Sequence, residues 1–383
     1  MTSGEVYREL AESAWCWVLD QVRGEDGPWL PDVVRDDEPS SVPREDRDSL
    51  YSGIAGLAPV LAEIGRSRPL SELEQAVATG VVGRLSTVAA GRVEPSLYDG
   101  LGGDVTALRL LAPGAERIPM QRLAGLRTET GWASTLGMQP GSTAPMTDLV
   151  TGTAGVVLAA VWAGGESARE IAATGGEALL RVAEPTPMGL DWRMFPGYRS
   201  SSPNYSHGTA GVTAALAVAG TDLGREDLVA AAQQGAQHLV DVASLDDDDG
   251  FVIPHTIPPS TREVEPVTYS WCHGPTGTSL AFAALAYAGV AAVAGYDVEV
   301  LRQRCLNSVL ASGVPRRLRP GFWDNDGRCC GTAGVGDVLL DAAQDCSDAA
   351  RADVLLRAGV TMGDALVDRA IRDDAGARWR FIE

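Results

Sequence analysis

The chain has 383 residues, 45% of them hydrophobic, and a formal net charge of -20 from 31 Lys and Arg against 51 Asp and Glu. That length suits two domains or equally one large repeat or barrel domain, with ample apolar content for a core. The charge argues against nucleic acid as a partner, because that affinity comes mainly from Lys and Arg neutralising phosphates; a neutral or cationic peptide is the better electrostatic match.

Taken in chain order, Met1-Thr2-Ser3-Gly4-Glu5 has neither a basic nor an apolar stretch, so no signal peptide is expected. Apolar residues at helical spacing predict an outer, amphipathic helix from about Glu5 to Gly24. A polar loop from Gly24 to Asp48 leads to the turn Gly53-Ile54-Ala55-Gly56 and a small, apolar run. The same Gly-x-x-Gly turn recurs at Gly100-Leu101-Gly102-Gly103, Gly152-Thr153-Ala154-Gly155, Gly208-Thr209-Ala210-Gly211, Gly274-Pro275-Thr276-Gly277 and Gly331-Thr332-Ala333-Gly334. Each is entered by similar residues, as in Ser49-Leu50-Tyr51-Ser52 and Asn204-Tyr205-Ser206-His207, and each is followed by a run too small and apolar for a surface helix. These are predicted inner helices. Positive φ or close backbone approach at the turn explains the glycines.

Further outer helices are predicted at about Ser71 to Ala90, Ser167 to Glu184, Arg225 to Ser244, Asp297 to Val314 and Ser347 to Ile371. Pro113 to Thr147 reads as a short helix with loop because of Pro119, Pro140, Gly141 and Pro145, and Pro254 to Thr268 as a surface excursion. The alternation is the connectivity of an all-α protein, an α/α toroid with one ring of helices inside another, forming a single domain over residues 1–383. Six inner turns and about seven outer positions predict a sevenfold toroid cut before its final inner helix, or a sixfold ring with an extra flanking helix. On that count Leu355, Leu356, Val360, Met362, Leu366 and Val367 form an exposed patch, so the chain is a fragment of a longer one or closes the gap by association. Apolar runs such as Val156 to Ala163 are too short for an integral membrane segment, and six cysteines without regular spacing fit a reducing compartment. A cytoplasmic protein is expected.

Chemistry concentrates at the later turns. Cys272 in Trp271-Cys272-His273-Gly274 and the pair Cys329-Cys330 before Gly331 look like a zinc site, since thiolate is the softest common ligand and catalytic Zn²⁺ takes three protein ligands and an open fourth position. A closed structural zinc site or plain buried thiols give the same pattern. Cys16, Cys305 and Cys346 fall on helix faces and read as packing residues. His207 is the candidate proton shuttle, because imidazole changes charge near neutral pH, although a lone His at a helix entry is more often structural. His273 and Trp271 flank Cys272 and are candidate substrate contacts; His238 on an outer helix and His255 in a loop are given no role.

The Trp-Cys-His-Gly, Cys-Cys-Gly and Ser206-His207-Gly208-Thr209-Ala210-Gly211 motifs, with the repeated turns, resemble the lanthionine synthetase C-like family across nearly the whole chain. The resemblance implies a double ring of α-helices with zinc at one end, and addition of a peptide cysteine thiol to dehydroalanine or dehydrobutyrine to close a thioether ring. It implies Cys272, Cys329 and Cys330 as zinc ligands, with Cys330 standing where a histidine is usual. It also matches His207 to the family's proton donor and Asp148, before the third turn, to its acid. The stretch where family cyclases carry an arginine reads Thr268-Tyr269-Ser270-Trp271 here, and Arg262 is the nearest arginine upstream. That departure keeps a small thiol such as glutathione open as the substrate. The partners implied are a dehydrated precursor peptide and a separate dehydratase. The alternative reading is a zinc thiol- or peptide-binding protein without turnover; a glycosidase on the same fold would need two facing acids.

Overall fold

The computed structural model describes residues 3–24, 26–31, 34, 46–134, 144–245, 249–260, 267–316 and 325–380. Thirteen helices lie among them: α1 (Ser3–Gln21), α2 (Leu57–Ser67), α3 (Glu72–Val88), α4 (Leu101–Leu111), α5 (Arg117–Leu126), α6 (Thr153–Ala163), α7 (Glu166–Val182), α8 (Thr209–Leu223), α9 (Glu226–Val242), α10 (Pro275–Tyr287), α11 (Val298–Ala311), α12 (Thr332–Asp345) and α13 (Ala349–Arg369). The strands form three short antiparallel hairpins: β1 (Glu184–Thr186) with β2 (Gly189–Asp191), β3 (Ala292–Val293) with β4 (Tyr296–Asp297), and β5 (Ile371–Asp373) with β6 (Gly376–Arg378). The predicted alternation of outer and inner helices is present, including a short α5 that carries Pro119 in its first turn, where a missing N–H costs nothing. Pro140 and Gly141 lie outside the described residues.

The chain divides into two compact units, an N-terminal unit of residues 18–182 and 219–228 and a C-terminal unit of residues 1–17, 183–218 and 229–383. In the N-terminal unit α6 (Thr-Ala-Gly-Val-Val-Leu-Ala-Ala-Val-Trp-Ala) is apolar all round and nearly all buried. Its partner α7 buries only the stripe Ala168, Ile171, Ala172, Gly175, Gly176, Ala178 and Leu179, the spacing of one helix face. The fully buried Trp132 sits among Leu101, Val105, Leu123, Val156 and Ile171, its indole N–H donating to the Leu123 carbonyl at 2.8 Å. The outer helix α3 starts on a capping box in which Ser71 and Glu74 satisfy each other's backbone N–H.

In the C-terminal unit α12 and α13 pack through Val335, Val338, Leu339, Leu355 and Met362, with Leu306 and Val309 of α11 beside them. The exposed patch expected on α13 is not formed. Leu355 and Met362 are buried and only Leu356 of the six is exposed. The chain's first helix supplies cover: the Tyr7 hydroxyl on α1 donates to Asp364 Oδ1 at 2.6 Å and approaches the Val360 carbonyl at 3.3 Å. The β5–β6 turn at Gly376 also lies against Ser13 and Trp17 of α1. Reading neighbours only in chain order missed this pairing, because α1 and α13 are more than 300 residues apart in sequence (|i−j| of 357 for the Tyr7–Asp364 bond). Among the described residues no helix is long and apolar enough to cross a membrane.

Candidate functional site

All six Gly-x-x-Gly turns precede an inner helix, and five share one internal hydrogen bond. The side chain four residues before the first glycine accepts from the backbone N–H one residue before it: Ser49 from Ser52 (3.1 Å), Ser96 from Asp99 (3.3 Å), Asp148 from Thr151 (2.6 Å), Asn204 from His207 (2.8 Å) and Ser270 from His273 (3.4 Å). In the sixth, Asn325 accepts from Gly327 at 3.0 Å. Five of the first glycines have φ between -108° and -140°, so positive φ is not the reason for glycine. Close approach is: a Cβ at Gly208 would lie 1.4 Å from the Ser202 carbonyl oxygen and one at Gly277 1.9 Å from that of Trp271.

Backbone hydrogen bonds also link successive turns at the residue two before the glycine. In the N-terminal unit Tyr51 N–H donates to the Tyr98 carbonyl (3.0 Å) and Tyr98 N–H to that of Val150 (3.4 Å). In the C-terminal unit Ser206 N–H donates to the Cys272 carbonyl (3.0 Å) and Cys272 N–H to that of Cys329 (3.2 Å). The fourth, fifth and sixth turns are thereby registered so that the two side chains before each glycine come together: Ser206 and His207, Cys272 and His273, Cys329 and Cys330. Arg369 of α13 braces the sixth turn, bonding Asp326 (2.5 Å) and the Thr332 hydroxyl (3.1 Å).

The thiols of Cys272, Cys329 and Cys330 lie within 4.8 Å of one another and are the group among the described residues able to hold a metal ion. Cys272 Sγ is 3.3 Å from Cys330 Sγ, which is 3.4 Å from Cys329 Sγ, and the Ser270 hydroxyl sits 3.2 Å from Cys272 Sγ. Hydrogen bonding with Cys329 and Cys330, then burial, pushes the Cys272 thiol well above its ordinary value. The Cys272 contact pulls Cys330 down, but Cys329 and burial outweigh it and leave that thiol at about 12. Three crowded thiols resist ionising together unless a cation balances them, and three sulfur donors suit a thiophilic dication such as Zn²⁺. The residues fit the metal.

Two ring contacts join three imidazoles, one of which, His273, directly follows Cys272 in the chain. The rings of His207 and His273 have centroids 5.7 Å apart. His255, to which the sequence reading gave no role, comes edge-on to His273 with centroids 4.2 Å apart and an interplanar angle of 68°. Burial, then the neighbouring His255 and His207, pushes His273 well below its ordinary value, so it is a neutral ring at neutral pH. Trp271 packs edge-on against Tyr205 at 5.5 Å. His238 stands elsewhere in this unit, its Nε2 3.7 Å from the buried Asp191. Cys305 is fully buried in α11, as a packing residue should be, and Cys346 follows α12; Cys16 on α1 is exposed. Arg262 lies outside the described residues.

Asp148 belongs to the N-terminal unit and is fully buried. Its carboxylate accepts from Thr151 N–H and from the Thr151 hydroxyl at 3.0 Å, the turn-capping task that Ser49, Ser96, Asn204 and Ser270 perform in their own turns. That shared position is visible in the sequence once the six turns are aligned, and it is the signal the sequence reading passed over.

A helical-hairpin repeat with a three-thiol cluster at its turns defines the class of protein. The solved structure of nisin cyclase is similar to this chain, with a TM-score of 0.60 and 16% identity over 86% of this chain and 84% of that one. An unsaturated glucuronyl hydrolase specific for heparin is also similar, with a TM-score of 0.50 and 9% identity over 96% of this chain and 98% of that one. At such identities both show the fold alone, the α/α-toroid class expected from the alternation. The model of the lanthionine synthetase C-like protein family matches residues 44–360, and the chain belongs to that family. Among curated protein sequences none matches this chain.

Proposed function

We propose that the protein is a zinc-dependent lanthionine cyclase, adding cysteine thiols of a dehydrated peptide to dehydroalanine or dehydrobutyrine to form thioether rings. The observation that carries this reading is the cluster of three thiols from two turns, with the His207–His273 ring pair carried by the same system of turns. Zinc held by Cys272, Cys329 and Cys330 would bind an incoming thiol and lower its pKa, which makes it a nucleophile near neutral pH. The sulfur adds to the β-carbon of the dehydro residue and the C=C electron pair moves toward the carbonyl as an enolate. His207 then delivers a proton to the α-carbon, so that S–H is added across the double bond with nothing lost.

His273, neutral and beside His207, and Trp271, packed edge-on against Tyr205, would hold the peptide for the reaction. Asp148 enters as an acid through the family resemblance, beside its turn-capping bonds. Because dehydro residues are not ribosomal products, a dehydration reaction must supply the substrate, and a reducing cytoplasm keeps the thiols available.

The test is mass spectrometry of a dehydrated, cysteine-containing peptide alkylated with iodoacetamide before and after incubation. Ring closure leaves the peptide mass unchanged and removes one alkylation site per ring. Full alkylation after incubation with folded, zinc-loaded protein would contradict the proposal; a mass gain equal to an added small thiol would make glutathione-like thiols the nucleophile instead.

A further inference from the structure

His255 reaches the site from outside the turn system. It lies on the segment after Phe251, which is fastened to the approach of the fourth turn by a pair of backbone hydrogen bonds, Ser201 N–H to Ile257 carbonyl at 2.8 Å and Ile257 N–H to Ser201 carbonyl at 2.9 Å. The neighbouring Ser202 carbonyl is the one against which Gly208 closes the turn that carries His207. One braced strand pair therefore sets the backbone positions of both His207 and His255. The His273 ring pairs with both, its centroid 5.7 Å from the first and 4.2 Å from the second.

The turn bonds fix where the His273 backbone sits but not how its ring is rotated. Its N–H is capped by Ser270, and its neighbour Cys272 is tied to Cys329. The torsion about Cβ–Cγ of an imidazole is broad, so the backbone leaves open the plane in which the ring lies. A second ring held edge-on at 4.2 Å narrows that freedom, since aromatic edges and faces attract in this geometry and a ring turned out of that plane would lose the contact.

We propose that His255 is a positioning residue of the site: its imidazole, edge-on to His273, holds the plane of the His273 ring beside His207. Catalytic consequence rests on the cyclase reading, but ring orientation does not, and the experiment separates them. Protein labelled with ¹⁵N in its four histidines gives four imidazole spin systems, with His273 identified by its loss in His273→Gln. His255→Leu and His255→Phe both fill the space, and only Phe offers an aromatic edge.

The expected result is a shifted or exchange-broadened His273 imidazole signal in His255→Leu and its recovery in His255→Phe, with bound metal unchanged in both. If the protein cyclises peptides, kcat/KM falls about 2- to 10-fold in His255→Leu and is restored in His255→Phe, the effect of one aromatic pair. An unchanged His273 signal in His255→Leu, or a Phe variant that behaves as Leu does, overturns the proposal. Absence of cyclase turnover with the same pattern of His273 signals overturns the function and leaves the positioning role intact.

Discussion

The three turns of the N-terminal unit and the three of the C-terminal unit share the entry before an inner helix and backbone bonds between successive turns, yet they carry different chemistry. At the two positions before the first glycine the first set holds Tyr51 and Ser52, Tyr98 and Asp99, Val150 and Thr151; the second holds Ser206 and His207, Cys272 and His273, Cys329 and Cys330. A turn whose fold is secured by a capping side chain four residues ahead of the glycine, and by glycines against backbone carbonyls, lets those two side chains vary between copies. The repeat is a scaffold, and the candidate site arises from substitution at two of its positions in three of its copies.

The largest effect expected from breaking this contrast is at His207. In His207→Asn the backbone N–H still reaches Asn204, so fold and metal content are retained while ring closure slows about 10² to 10⁴-fold, the range for loss of a general acid. Near-normal cyclisation by a folded His207→Asn protein, measured by the alkylation assay, would remove the proton-donor role.

Asp148 sharpens the contrast because it has a turn role that a neutral amide can also perform, as Asn204 shows. Asp148→Ala should destabilise the protein by about 1 kcal/mol in denaturant unfolding through loss of the bonds to Thr151, and Asp148→Asn by clearly less. An acid's role in ring closure would appear as slowed turnover in the folded Asp148→Asn variant. Wild-type turnover there reduces Asp148 to a capping residue like its four counterparts.

A smaller effect separates the turns from the helix that covers α13. The hydrogen bond to Asp364, then burial, then the charge of Asp364 raises the Tyr7 hydroxyl from its ordinary 10.0 to about 12. The folded state thus holds this proton more tightly than the unfolded chain. The resulting stabilisation is complete below about pH 10 and is lost as pH rises toward 12. Tyr7→Phe should lower stability modestly at neutral pH and flatten that alkaline loss, read from thermal unfolding at a series of pH values. An identical alkaline slope in both proteins would deny the Tyr7–Asp364 bond a role in holding α1 to α13.

Much of this was legible in the residues. Gly-x-x-Gly recurrence and the switch between wholly apolar and amphipathic runs mark inner and outer helices directly, because burial on all sides and on one face leave different patterns. The three cysteines stood out because thiols beside glycine turns have few other uses. Three things were hidden. The pairing of α1 with α13 depends on contacts between the far ends of the chain, which local periodicity does not record. His255 sits on an irregular segment whose position is set by two backbone bonds to Ser201, and backbone bonds leave no residue signature. Trp132 and Trp192, each with its N–H bonded to the threonine after a turn glycine, are a further repeat too widely spaced from the motif to be noticed.

The central claim is that the fourth to sixth turns form a metal centre and the first three do not, and metal stoichiometry tests it most directly. Elemental analysis of protein purified under reducing conditions should find about one zinc per chain. Cys272→Ala, Cys329→Ala and Cys330→Ala should each lose most of it, while Ser52→Ala and Thr151→Ala, at the corresponding positions of the other turns, retain it. Folded protein without zinc when metal is supplied, or zinc content unchanged in all three cysteine variants, would contradict the account.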